Sequence, residues 1–194
     1  MGVVSILNHV GTQTIETKRL LLRRFQLEDA EQMFNNWASD PDNIKYLSWA
    51  AHKGKSETED IIKTWVEEYA SNKTYRWCIT DKQTGEVIGG IDVVKMFENT
   101  ECCEIGYVLS KRFWNKGIMT EALHAVLEYL FFKVNFHRIQ LGHVSKNMAS
   151  GKVMLKNGLQ RDGLLRDAEK TVDGKWHNVV IYSILRDEFK ARNL

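Results

Sequence analysis

The stretch Glu104-Ile105-Gly106-Tyr107-Val108-Leu109-Ser110-Lys111-Arg112-Phe113-Trp114-Asn115-Lys116-Gly117-Ile118-Met119-Thr120-Glu121-Ala122 decides how the chain is read. It begins as a strand, passes through a short basic loop, and opens a long apolar helix at Ile118. That layout has a chemical use. The first amides of a helix lack intrahelical partners, and the helix dipole favours negative charge beside them. Amides at such an end cradle phosphates, and Gly117 lets an anion approach the backbone closely. Lys111, Arg112 and Lys116 add positive charge. The same layout also suits a solvated turn capping a core helix. It does not match the nucleotide-hydrolase phosphate loop, G-x-x-x-x-G-K-[ST]. The pattern alone leaves both readings open.

Around this stretch the chain reads as strands and helices in an order that is neither a regular alternation nor all-β. Thr17 to Phe25 reads as a strand and Glu28 to Ala38 as a helix with Ala30, Met33, Phe34, Trp37 and Ala38 on one face. Ser56 and Glu59 have the spacing of a capping box for a second helix. Tyr75 to Thr80 and Glu86 to Val94 form a hairpin through Asp81–Gly85. Glu101 to Leu109 is a strand and Ile118 to Val134 a largely buried helix with a polar stripe at Glu121, His124 and Glu128. Arg138 to Val144 is a strand and Asn147 to Asn157 a short helix, with Gly158 at its C-cap. Leu159 to Ala168 and Trp176 to Leu185 are the last two strands. This order is that of an α+β domain, a mixed sheet with helices packed on it.

Composition sets limits. The 194 residues suit one domain, residues 15–194, preceded by a loose arm over 1–14. A net charge of +2 lacks the basic excess of a dedicated nucleic-acid binder. Cys78, Cys102 and Cys103 are odd in number, two of them adjacent, and fit reduced thiols in the cytoplasm better than a disulfide framework. Met1–Gly11 lacks a signal-peptide pattern. The longest apolar run, Leu123–Val134, is interrupted by charge and too short to cross a membrane.

Six pieces, in order, carry a resemblance: Thr17-Lys18-Arg19-Leu20, Thr84-Gly85-Glu86-Val87-Ile88-Gly89, Glu104-Ile105-Gly106-Tyr107, Trp114 through Ala122, Asn147-Met148-Ala149-Ser150, and Tyr182-Ser183-Ile184-Leu185-Arg186. Together they resemble the GNAT superfamily of acetyltransferases, in particular its ribosomal-protein-alanine N-acetyltransferase branch. The resemblance implies a mixed, mostly antiparallel sheet of about seven strands, splayed between the fourth and fifth, with about four helices. It implies acetyl-CoA as co-substrate, its pantetheine arm in the splay and its pyrophosphate on Trp114, Asn115, Lys116, Gly117, Ile118, Met119 and Thr120. The family's loop reads Q/R-x-x-G-x-G/A; Met119 departs from its last place and narrows the expected approach to the backbone there.

The implied reaction is attack of a primary amine on the acetyl thioester in a ternary complex. It needs a base, donors for the charge developing on oxygen, and a proton for the leaving sulfur. The resemblance makes Glu104 the base, directly or through water; the alternative is a strand-edge glutamate bonded to a neighbour. Backbone amides near Val108 or Leu109 would face the thioester. Asn147 would hold the pantetheine arm, and Ser150 would contact the cofactor or act as the acid. Both also suit the start of a helix. Many relatives carry an acidic tyrosine four residues after that serine; here the place is Met154.

The branch implies a protein N-terminal α-amino group, of ribosomal-protein type, as acceptor. A polyamine or antibiotic amine is the alternative, and a non-catalytic acyl-CoA-binding module the reading from another class. No membrane or nucleic-acid partner is expected, and the chain would be a monomer or homodimer. His137 and His143 lack ligands at metal spacing and read as satisfied structural histidines, with no metal expected. Cys102 and Cys103 read as packed thiols, Trp37 and Trp65 as core, and Trp49 as a candidate for the acceptor groove.

Overall fold

The structure is a computed structural model describing residues 7–192. In chain order its strands are β1 (Ile15–Glu16), β2 (Leu20–Arg23), β3 (Arg76–Asp81), β4 (Val87–Phe97), β5 (Cys102–Leu109), β6 (Arg138–Val144), β7 (Gln160–Lys170) and β8 (Trp176–Leu185). Its α-helices are α1 (Ala30–Met33), α2 (Pro41–Ile44), α3 (Lys55–Glu68), α4 (Ile118–Tyr129), α5 (Met148–Lys156) and α6 (Arg186–Arg192). The strands form one sheet in the order β1-β2-β3-β4-β5-β6-β8-β7, antiparallel except for β5 and β6.

The expected first strand is two. Thr17 Oγ1 accepts from the Leu20 amide at 3.0 Å, and the Thr17 amide donates to the Leu20 carbonyl at 2.9 Å. A threonine that bonds its own backbone neighbours turns the chain locally, so Ile15–Glu16 folds back on Leu21–Leu22. The sheet therefore has eight strands. Four-residue α2 and the final helix α6 bring the helices to six, against the four or so expected. The capping box at Ser56 does not form: α3 starts two residues earlier than such a cap would place it, with Gly54 as N-cap and no side-chain cap. Glu57, not Glu59, reaches back, accepting from the Lys53 amide at 2.9 Å.

Helix α4 packs on one sheet face through Ala122, Leu123, Val126 and Leu127, all fully buried, and its last turn continues as a π-helix over Leu130–Val134. Leu123, Val126 and Leu127 each contribute about 1.5–3 kcal/mol by burial. On the other face, α1 and α3 enclose a second cluster with Trp37 and Ile62, and Trp65 and Trp49 pack at its edge. Residues 1–6 of the expected arm lie outside the described residues. The rest is tied down rather than loose: Asn8 donates to the Val134 carbonyl at 2.8 Å, Gly11 to that of Asn72 at 2.7 Å, and Thr12 is buried. No helix among the described residues is long and apolar enough to cross a membrane.

Candidate active site

The site begins where the sheet stops pairing. Strands β5 and β6 are in register only at Cys102–Arg138, Cys103–Ile139 and Glu104–Gln140. Beyond that point they part, as expected between the fourth and fifth strands of the seven-strand reading. At the vertex Gln140 Nε2 donates to Glu104 Oε2 at 3.1 Å. A cavity of about 220 Å³ occupies the fork, lined among others by Tyr46, Glu104, Tyr107, His143, Asn147 and Ser150.

Strand alternation sorts these groups onto two faces. Ile105 and Leu109 belong to the α4 core, with Tyr107 packed beside them, whereas Val108 packs on the α1–α3 cluster. Glu104 and Gly106 share the face of Val108. The carboxylate of Glu104 thus sits on one side of the fork and the Tyr107 phenol on the other. The same alternation orients the amides. Ser110 donates to the Ile88 carbonyl of β4 at 2.8 Å, so Val108 also faces β4 and Leu109 faces the opening. Of the two expected amides, only that of Leu109 is aimed at the fork.

Tyr107 also lines the fork, a placement that sequence reasoning missed. Its hydroxyl lies 2.8 Å from Ser150 Oγ and donates to the Ser150 carbonyl at 3.2 Å. Burial pushes its pKa up to about 12, with the Ser150 bond opposing the shift. A tyrosine among core-facing residues needs a partner for its hydroxyl, and that was the available signal. Asn147 caps α5, its side chain accepting from the Ser150 amide at 3.4 Å. Met154 is buried in the core.

The loop before α4 bears out the layout but redistributes its charge. Gly117 is the N-cap at φ 73, with no side-chain cap, and Asn115 is at φ 61. The first amides of α4 are thus left without a capping side chain. Ile118 and Met119 are buried in the core, so Met119 does not narrow the approach as expected: its side chain points inward. Thr120 is half-buried, and its carbonyl accepts from Asn157 Nδ2 at 3.2 Å. The Trp114 indole donates to the Leu109 carbonyl at 2.7 Å. Two of the three expected cations are engaged elsewhere: Lys111 pairs with Asp40 at 2.7 Å, and Arg112 pairs with Glu86. Lys116 lies over the Phe113 ring at 5.1 Å. Arg19 joins it, bonded to the Lys116 carbonyl at 2.9 Å and to Glu121 at 2.7 Å. An acyl-CoA fits this set, with an open sheet edge for an amide-rich arm and an uncapped, cation-flanked helix start for a pyrophosphate.

The sequence profile of the acetyltransferase (GNAT) domain family matches residues 19–160. The chain belongs to the GNAT acetyltransferase family. It is 33% identical over 177 residues to the N-acetyltransferase p20 of Bacillus licheniformis, covering 91% of this chain and 98% of that protein. It is 23% identical over 183 residues to the ribosomal protein uS5-alanine N-acetyltransferase of Escherichia coli, covering 91% and 93%. A GNAT-family acetyltransferase from Bacillus anthracis superposes with a TM-score of 0.79 at 26% identity, over 90% of this chain and 99% of that one. The protein is thus an acetyl-CoA-dependent N-acetyltransferase.

Other expected residues resolve as follows. Burial raises the pKa of Cys102, and that of Cys103 well above the ordinary thiol value, which keeps both protonated at neutral pH. His143 is only half satisfied. Its Nδ1 lies 2.8 Å from the Val144 carbonyl, and its buried Nε2 has no partner. His137 sits ahead of β6, its backbone amide donating to the Glu101 carbonyl at 2.8 Å. No group of three or more metal-ligating side chains occurs among the described residues. Trp49 does not line the cavity; its neighbours Tyr46, Leu47 and Ser48 do, and it packs instead near His52. Past Tyr46 lies a second cavity of about 280 Å³, lined by Lys45, Tyr46, Lys146, Thr171, Asp173, Lys175 and His177.

Proposed function

We propose that the acceptor is a protein N-terminal α-amino group, as in the ribosomal-protein branch. The observation that carries this reading is the two-chamber groove. The fork holds Glu104 and Glu169, and it shares Tyr46 with a chamber that bears three lysines. A polyamine has positive charge along its whole length and would be repelled by the second chamber. An extended peptide can thread its amine to Glu104 and leave the rest of its chain beyond Tyr46.

Acetyl-CoA supplies an activated acetyl thioester. The protein's part is to orient the reactants, accept a proton and stabilise the departing thiolate. Glu104, held by Gln140, takes the proton of the incoming ammonium, directly or through one water. An α-amino group has a pKa of about 8, so little driving force is needed at neutral pH. The Leu109 amide donates to the acetyl oxygen as negative charge grows there. Such a donor lowers the barrier by about 3 kcal/mol. Ser150 donates to the departing sulfur, and Tyr107 acts as a positioning residue. The phenol has one proton for the Ser150 carbonyl and Ser150 Oγ; when it is directed at Oγ, the serine proton is left to point into the fork. Neither a phenol at about 12 nor the still less acidic serine hydroxyl protonates a thiolate whose conjugate acid has a pKa of about 8.5, so the hydroxyl of Ser150 stabilises the departing thiolate by a hydrogen bond and the sulfur takes its proton from solvent. Asn147 and the backbone from Asn115 to Thr120 hold the cofactor.

Incubation with labelled acetyl-CoA and a panel of ribosomal proteins, peptides and small amines tests the acceptor. Mass spectrometry is expected to place the label on N-terminal residues. Label confined to spermidine or to lysine side chains would overturn the reading.

A further inference from the structure

The second chamber has a charge imbalance that the acetyl transfer does not use. Its wall carries Lys45, Lys146 and Lys175 against one carboxylate, Asp173. That carboxylate is already committed. Asp173 Oδ2 pairs with Lys175 at 2.8 Å, and Asp173 Oδ1 accepts from Thr171 Oγ1 at 2.7 Å and from the Lys175 amide at 3.2 Å. These bonds, with Gly174 donating to the Thr171 carbonyl at 2.9 Å, brace the β7–β8 turn and hold Lys175 against it. Lys146 has no ion pair among the described residues, and Lys45 meets only the Tyr46 ring, at 5.1 Å. Two lysines without an ion pair among the described residues thus line one hollow, and the His177 ring adds N–H donor capacity.

The fork next door has the opposite sign, with Glu104 and Glu169 in its lining. Tyr46 is common to both chambers. Such an arrangement selects a ligand with a cation at one end and an anion a short distance away. A peptide N-terminus followed by an acidic side chain has that form. Its residues advance about 3.3–3.6 Å each when extended, so the side chains that follow the N-terminal residue are the ones carried past Tyr46.

We propose that the second chamber is a specificity site for the acceptor, taking an aspartate or glutamate side chain at positions two to four of the N-terminal peptide. This rests on the peptide reading above. Lys45 and Lys146 supply the charge, and Lys175, half-neutralised by Asp173, supplies an oriented donor.

The test uses the full chain and three peptide series sharing one N-terminal residue, with Glu, Gln or Lys placed in turn at positions two, three and four. Two exposed lysines give an acidic peptide a gain on the order of five- to tenfold in kcat/KM over its glutamine counterpart, expressed mainly in KM. The Lys45→Gln/Lys146→Gln protein is expected to lose that preference while acetylating the glutamine peptides at the wild-type rate with an unchanged acetyl-CoA KM. Raising salt from 50 to 500 mM is expected to erode the preference in the wild type alone. Equal rates on acidic and neutral peptides would overturn the specificity site and leave the peptide reading intact. Failure to acetylate any peptide, with turnover of O-phosphoserine or phosphoethanolamine, would overturn both and assign the chamber to a small phosphorylated amine.

Discussion

Replacing Tyr107 by Phe removes one hydroxyl and little volume. The phenol lies 2.8 Å from Ser150 Oγ and 3.2 Å from the Ser150 carbonyl. Losing such a bond between neutral groups costs about 0.5–1.5 kcal/mol of stability, so the variant should stay folded. The effect on catalysis follows from the serine proton. Without the phenol, Ser150 is free to turn its proton to other acceptors, which forfeits about 1 kcal/mol of the directed bond to sulfur. That is roughly a fivefold fall in kcat, since about 1.4 kcal/mol corresponds to tenfold. The acetyl-CoA KM should hardly move, because Tyr107 does not hold the nucleotide. Ser150→Ala should fall further, by about ten- to a hundredfold, a hydrogen bond to a charged group being worth about 1.5–3 kcal/mol. The assay is steady-state acetylation of one peptide, followed by thiol release, across the four members of a double-mutant cycle. Because Tyr107 acts only through Ser150, the double variant should be no slower than Ser150→Ala. A kcat within twofold of wild type for Tyr107→Phe, or effects that simply multiply in the double variant, would refute the arrangement.

Three further outcomes are expected. Glu104→Gln should slow turnover while leaving acetyl-CoA affinity nearly unchanged; a kcat/KM equal to wild type would remove Glu104 as base. Acetyl-CoA at a hundred times its Kd should stabilise the protein by about 2.7 kcal/mol, visible as a raised Tm, and no shift at millimolar concentration would contradict the cofactor site. Burial pushes the phenols of Tyr69, Tyr75 and Tyr107 from 10 up to about 12. Folded-state pKa values above the unfolded ones mean stability is complete below pH 10 and lost as pH climbs to 12, each phenol adding at most about 1.4 kcal/mol per pH unit. Urea midpoints flat from pH 9 to 12 would contradict this.

The parts of the fold that sequence reasoning reached are those with local causes. The β3–β4 hairpin was legible because Asp81 through Gly85 carries its own turn chemistry, with Asp81 Oδ1 accepting from the Gln83 and Thr84 amides. The end of α5 was legible because Gly158, at φ 84, is a residue type that such a cap demands. What escaped depends on distant partners. Nothing near Lys111 or Arg112 announces that Asp40 and Glu86 take their charge. The tether of residues 8–12 runs through backbone groups of Asn72, Thr74 and Val134, and backbone partners leave no trace in composition. The Tyr107–Ser150 pair joins residues 43 positions apart. It follows from the topology that brings β5 over α5, not from either motif alone.

Met119 carries a broader consequence. The segment that opens α4 answers to two masters: its side chains at Ile118 and Met119 fill the interior, while its main chain is what a ligand would meet. Recognition made through main-chain groups is indifferent to residue identity so long as the helix starts in the same place. A saturation scan of positions 118 and 119 should therefore read as a map of interior volume, with Tm and cofactor affinity declining together and no substitution that weakens binding while sparing the fold. Variation at these positions among related enzymes would then record how each packs its interior and say little about which acyl donor it uses.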